Sequence, residues 1–349
     1  MAETSDRPAT DAVDDVLAGD RVGGPVPGAA ADPLVSEPAD PGRPRRRRRT
    51  MSGKFVAGLV ILGLFVLMAA IGPLVAPYDP SNLGPDVLAP PSWQHWLGTT
   101  GTGQDVLSQL LVGARQTLII GVLAGLIATA ISTIIGVTGG FVGGIADDLL
   151  SLLSNVFLVV PALPLLIVLT GYLPNGGPVA VAAVISLTGW AWGSRVLRAQ
   201  TLSIRRRDYI EAARVAGEPG WRIIVFEILP HVRAILASSF LFTVLFAILT
   251  QVGLAFLGLV DVSQWSWGVM LYWAQSADAL NAGAWWWFVP PGLAVALIGT
   301  GLALLNFGVD EFINPRLRSN SLRGRAARDS AGGFTPVVRT DPQPSEVQR

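Results

Sequence analysis

Hydrophobic residues fall into six long uncharged blocks, near Phe55 to Ala76, Gln116 to Gly140, Leu149 to Tyr172, Pro178 to Ser194, Ala234 to Leu259 and Trp286 to Val309. A block of 22 residues read as a helix extends about 33 Å at ~1.5 Å per residue, enough to cross the hydrocarbon of a bilayer. Six such blocks predict an all-α membrane protein with six transmembrane helices. Polar positions gather between the blocks and at the two ends. Residues 1–50 read as an acidic tail that turns Arg-rich, with nine acidic residues against Arg7 and Arg21 before the arginine cluster begins at Arg43. Residues 315–349 are rich in Arg, Ser, Gly, Pro and Asp. Both compositions lack the apolar side chains a packed core needs, so both are expected to be disordered. Residues 51–92 then hold the first span and the start of an outer loop, and residues 93–314 the core of the membrane domain.

Composition agrees with the pattern. Hydrophobic types make up 51% of the 349 residues and charged types 14%, where soluble domains carry about 25% charged residues. The net charge is zero, yet its distribution is informative. Arg43 and Arg45 to Arg49 precede the first span, eight arginines lie between Arg195 and Arg233, and residues 78–114, 173–177 and 260–285 contain no Lys or Arg. Cytoplasmic loops are the ones enriched in these residues, so both termini and the 195–233 segment are expected in the cytoplasm. Trp93, Trp96, Trp265, Trp267, Trp273 and Trp285 to Trp287 then fall at the outer boundary, where indole rings anchor. Gly136, Gly139, Gly140, Gly143 and Gly144 provide the small-residue spacing that lets helices approach closely in lipid.

Several chemistries are disfavoured. There is no cysteine, and the two histidines, His95 and His231, lie far apart, which excludes thiol chemistry and offers no metal-ligand spacing. Lys54 is the only lysine and lacks the glycine spacing of a phosphate-binding loop. No Asp, Glu, Lys, Arg or His falls within the six blocks, where proton- and voltage-driven machines carry ionisable groups. Neither an enzyme nor an ion-coupled carrier is favoured. The arginine blocks are explained by orientation and anionic lipid, so no nucleic-acid partner is expected.

The segment from Arg205 to Pro230 reads as helix, sharp turn, helix. Asp208 suits a helix cap, Tyr209, Ile210 and Ala213 fall on one helical face, Gly217 suits a left-handed turn, and Pro219 suits a helix start. Pro230 predicts a break before the fifth span. On these features alone, a docking handle for a soluble partner and a passive interfacial helix fit equally well.

Glu211-Ala212-Ala213, three residues, Gly217, then Leu229-Pro230 resemble the EAA loop of type I ABC-importer permeases, with Glu227 and His231 departing from the usual pattern. Further stretches resemble the C-type subunit of the dipeptide, oligopeptide and nickel permease family. They are His95-Trp96-Leu97-Gly98-Thr99, Asp105-Val106-Leu107-Ser108, Gly113-Ala114-Arg115, Phe256-Leu257-Gly258-Leu259, Ser266-Trp267-Gly268, Pro291-Gly292-Leu293-Ala294 and Asn314-Pro315-Arg316-Leu317. Thr100, Gln104 and Gln109 replace that family's Asp, Arg and Arg. The resemblance covers about residues 54–318 and implies the MetI-like permease fold. It also implies a coupling loop over 205–230 in which Glu211, Ala212, Ala213, Gly217, Leu229 and Pro230 meet a partner. The implied partners are a homologous second permease, two ABC ATPase domains that bind the ATP, and an extracytoplasmic substrate-binding protein, with no cofactor in this chain itself. The resemblance implies transport across the plasma membrane, with peptides the expected cargo. Nickel or another small solute, and an ATPase-independent channel or carrier, are the alternatives.

Overall fold

In the computed structural model, residues 53–172 and 177–313 are described. The two expected tails, the Asn314 to Leu317 motif and most of the short 173–177 loop lie outside them. Within the described residues the elements are α1 (Gly53–Val75), α2 (Val106–Val142), α3 (Gly144–Val159), α4 (Ala162–Gly171), α5 (Pro178–Ile204) and α6 (Asp208–Val215). After these come α7 (Gly220–Arg222), a π-helical turn (Ile223–Ile228), α8 (Leu229–Phe256), α9 (Trp267–Ser276) and α10 (Trp285–Ile313). No strand occurs among the described residues, only an isolated bridge between Thr99 and Asp105.

Five helical stretches are long and apolar enough to cross a membrane: α1, α2, α5, the continuous Gly220–Phe256 unit and Trp285–Val309. The sixth crossing differs from the expected straight helix. Leu149 to Tyr172 is divided between α3 and α4, which meet at 88°. Val160 and Pro161 take extended backbone at the joint, and Pro161 has no N–H to continue the α3 ladder.

The second span is also longer than the block that announced it. It starts at Val106, inside the expected outer loop, because Asp105 caps it: Ser108 donates from both its backbone N–H and its hydroxyl to Asp105 Oδ2, at 2.8 and 2.7 Å. His95 Nδ1 lies 2.9 Å from the other oxygen, Oδ1. Asp105 is buried, and these partners satisfy the carboxylate there.

α2 is the central helix and packs on α1, α5, α8 and α9. α5 runs parallel to it: Gly136 sits beneath the Ser194 carbonyl, and a Cβ at Gly140 would lie 2.8 Å from Thr201 Cβ. These two glycines are the ones that permit close approach. Gly143 and Gly144 serve the turn into α3, with φ of 73° and 62°. α8 returns antiparallel, Val244 against Gly125 and Ile248 against Gly121, while α1 and α10 meet through Gly58 and Gly301. One helix-to-helix ion pair joins α3 to α5, Arg198 clasping both oxygens of Asp147 at 2.5 and 2.8 Å. Because α5 continues ten residues beyond Ser194, Arg195 and Arg198 ride on the spanning helix itself, which is less free of charge than its apolar block implies.

The tryptophans divide into two groups. Trp93, Trp96, Trp273 and Trp285 are exposed as expected of anchors, but Trp267 is fully buried and Trp287 nearly so. Trp267 donates to the Leu110 carbonyl at 3.1 Å and packs edge-on against Phe65, which makes it a core residue of the end opposite α6.

Candidate functional site

Eight residues form α6, entered through Arg207 in extended conformation and not through a side-chain cap. Asp208 is therefore the first helical residue, one position later than expected. With Glu211 it places negative charge in the first turn, where the helix dipole favours it. At the other end the Gly217 N–H donates to the Arg214 carbonyl at 3.0 Å and the Glu218 N–H to Ala213 at 3.1 Å. These are the paired bonds of a Schellman closure, and Gly217 supplies the left-handed residue it needs, with φ of 80°. Pro219 then occupies the position before α7.

One face of α6 holds it to the bundle. Ile210 is fully buried with Ile204, Ile223, Ile228 and Val232, and Tyr209, Ala213 and Leu229 pack against that cluster. The Tyr209 ring stacks on His231 at 5.2 Å between centroids, and the Arg214 guanidinium lies 4.9 Å from the centre of the Phe141 ring at the end of α2. Arg205 donates to the Gly140 carbonyl at 3.0 Å, tying the ends of α5 and α2 together. The small helix thus rests on α2, α5 and α8 at once.

The opposite face carries Asp208, Glu211, Ala212 and Val215, all exposed, and Val215 is 90% so. Trp221 and Phe226, on the next segment, are 65% and 62% exposed. Of the six residues expected to act, Glu211, Ala212 and Gly217 are open to a partner. Ala213 and Leu229 are half-buried and face the bundle, while Pro230 is exposed at the start of α8. Sequence reading missed Val215, Trp221 and Phe226. Val215 stands four residues after Glu211 and could have been found by extending the helical period one turn.

Pro230 does not interrupt the chain as expected. The preceding turn widens instead, the Leu229 N–H reaching the Ile224 carbonyl five residues back. The wider turn moves the carbonyl that the proline ring would strike and leaves the helix continuous. The Nδ1–H of His231 donates to the Glu227 carbonyl at 2.5 Å. One continuous helical run, Gly220–Phe256, connects the turn after α6 to the fifth crossing.

Residues 132–319 match the family described as binding-protein-dependent transport system inner membrane component, a stretch that contains α6 and every helix it rests on except the first part of α2. The chain belongs to this permease family. Residues 54–91 match the N-terminal transmembrane domain of oligopeptide transport permease C. Relatives include the oligopeptide permease OppC of Bacillus subtilis, 32% identical over 75% of this chain and 86% of the relative. The di/tripeptide permease DppC of Pseudomonas aeruginosa is 33% identical over 76% and 88%, and the oligopeptide permease OppC of Mycobacterium bovis 34% over 78% and 94%. The chain is a multi-pass inner-membrane permease of an ABC importer, not an enzyme, and works with ATPase and substrate-binding partners.

Proposed function

We propose that this permease lines a path for dipeptides or oligopeptides together with a homologous second permease. Two ABC ATPase domains drive it from the cytoplasm, and an extracytoplasmic binding protein feeds it. ATP is bound by the ATPases, and this chain holds no cofactor. Its N- and C-termini are cytoplasmic, on the same side as α6. The observation that carries the reading is the two-faced α6: one face locked on α2, α5 and α8, the other presenting Ala212 and Val215 beside Asp208 and Glu211. Such a face fits a partner groove with an apolar floor and a basic rim, and the glycine at 217 lets that partner come close. Closure of the ATPases would push α6, and the three helices beneath it would tilt as a unit, exposing the path alternately to each side. The orientation is supported by the arginines of 195–233 beside α6 and by the absence of Lys or Arg from 78–114 and 260–285. The peptide cargo is supported by the relatives, whose names specify oligopeptides and di- or tripeptides.

Because the chain has no cysteine, Glu211→Cys gives a single addressable thiol. A short bifunctional crosslinker at that thiol is expected to capture an ABC ATPase, and an impermeant maleimide added to intact cells is expected not to reach it. Labelling from outside, or capture of no ATPase, would overturn the docking assignment. Labelled peptide uptake by cells carrying the whole transporter tests the cargo separately.

A further inference from the structure

At the end of the bundle opposite α6 lies an open cleft of about 500 Å³ between the loop after α1, the loop after α8, α9 and the start of α10. That volume is within the range of small-ligand sites. Its walls include Trp265, Trp273 and Trp287 with Gln104 and Gln109, and no lining residue bears a formal charge. Of the polar and aromatic lining residues, Trp273 is 40% exposed, whereas Gln109 and Trp287 are 1% and 4% exposed.

Three carboxylates neighbour lining residues. Asp79 accepts from the backbone of Ser81, a lining residue, at 2.8 Å. Asp261 accepts from the N–H and hydroxyl of Ser263, also lining, at 2.9 and 2.6 Å. Asp278 follows Ala277 in the wall. No Lys or Arg is present in residues 78–114 or 260–285 to offset them. Ser263 holds the Asp261 carboxyl below the ordinary carboxylate range, so its charge persists further into acid.

We propose that this cleft receives the free amino terminus of a peptide, the ammonium against the tryptophan faces. Indole faces attract cations, an acidic rim concentrates them, and apolar ring area accepts the first side chain. The inference rests on the peptide reading above and adds which end of the peptide enters first.

The test uses the permease and ATPase complex, without its binding protein, in discs of phosphatidylglycerol, which carries no amine. Intrinsic tryptophan fluorescence follows titration with tri-alanine and with N-acetyl-tri-alanine. Tri-alanine is expected to bind about tenfold more tightly than the acetylated form. Trp273→Ala, at an exposed ring, is expected to erase the preference while the complex melts as the wild type does. The double variant Asp79→Asn with Asp278→Asn is expected to weaken tri-alanine and leave the acetylated form unchanged. Equal binding of the two peptides, or a preference that survives Trp273→Ala, overturns the proposal. So does a Trp273→Ala complex that loses affinity for the binding protein alone, which would make the cleft a protein-docking surface. Uptake of tri-alanine by the complete wild-type transporter separates the two claims: import without an amine preference sinks only this site, whereas no import of any peptide sinks the cargo assignment.

Discussion

Gly217 separates the backbone needs of the α6 hairpin from the needs of its partner. Its φ of 80° is one that L-residues rarely adopt, yet a Cβ built there meets nothing within 4 Å. Substitution therefore costs only the left-handed conformation, about 1–2 kcal/mol for alanine and less for asparagine. That is roughly a five- to thirtyfold change in the population of the closed turn. Against it stands the burial of Ile210, worth about 1.5–3 kcal/mol on its own, together with Tyr209 and Ala213. The hairpin should stay docked in every variant. Gly217→Asn is expected to transport near the wild-type rate and Gly217→Ala to keep at least about a tenth of it. Gly217→Glu is expected to transport nothing measurable, because a charged chain would fill the surface proposed for the ATPase. ATP-dependent peptide uptake, with membrane insertion followed by immunoblot, measures all three. If alanine and glutamate were equally inactive, the turn's conformation and not its surface would be what matters. If glutamate transported as well as alanine, the surface at Gly217 would be free of any partner.

Ile210→Ala should loosen α6 by about 2–5 kcal/mol, seen as faster hydrogen exchange across 208–217 with the remaining helices unchanged. Gly136→Val should push α2 from α5, since any Cβ there strikes the Ser194 carbonyl, and should lower the melting temperature in detergent, whereas Gly253→Ala, in open space, should not. Ser263→Ala should reduce thermal stability at neutral pH by removing one of the two Ser263 hydrogen bonds that stabilise ionised Asp261. Since that carboxyl titrates below its ordinary 3.8 in the folded protein, its contribution is present above 3.8 and is lost as pH falls through the lowered value. The melting difference between wild type and Ser263→Ala should therefore close in acid, as a pH series of melts would record.

The crossings were legible wherever lipid alone sets composition. α1 is unbroken and apolar, and its limits fall within two residues of the Phe55 to Ala76 block. α2 was cut short because Ser108, Gln109 and Arg115 interrupt the apolar run. The first two are buried against the loop before α2, which the periodicity of one helix does not encode. Trp267 and Trp273 look alike in sequence, and only tertiary packing decides that one fills the core and the other stays exposed. The break at Pro161 was written in the chain, with Pro164 close behind, but an apolar window averages over it. In the coupling segment the turn at Gly217 was readable because its conformation is local. The consequence of Pro230 was not, because a widened turn and a break answer the same missing N–H.

That widened turn bears on how a push would travel. Three residues, Arg205 to Arg207, separate α5 from α6, and the closure at Gly217 leads within a few more into the rod that becomes α8. α6 is only about 12 Å long, so both of its ends lie close to a crossing helix, and Ile210 shares one cluster with Ile204 of α5 and Val232 of α8. A force on Glu211 or Val215 would therefore divide between α5 and α8 with little slack to absorb it. Had Pro230 broken the rod, α8 would have been uncoupled and α5 left to move alone. With the helix continuous, the tilt of the two crossings would be shared, and α2 would be drawn along through Gly136 and Gly140, where no side chain separates it from α5.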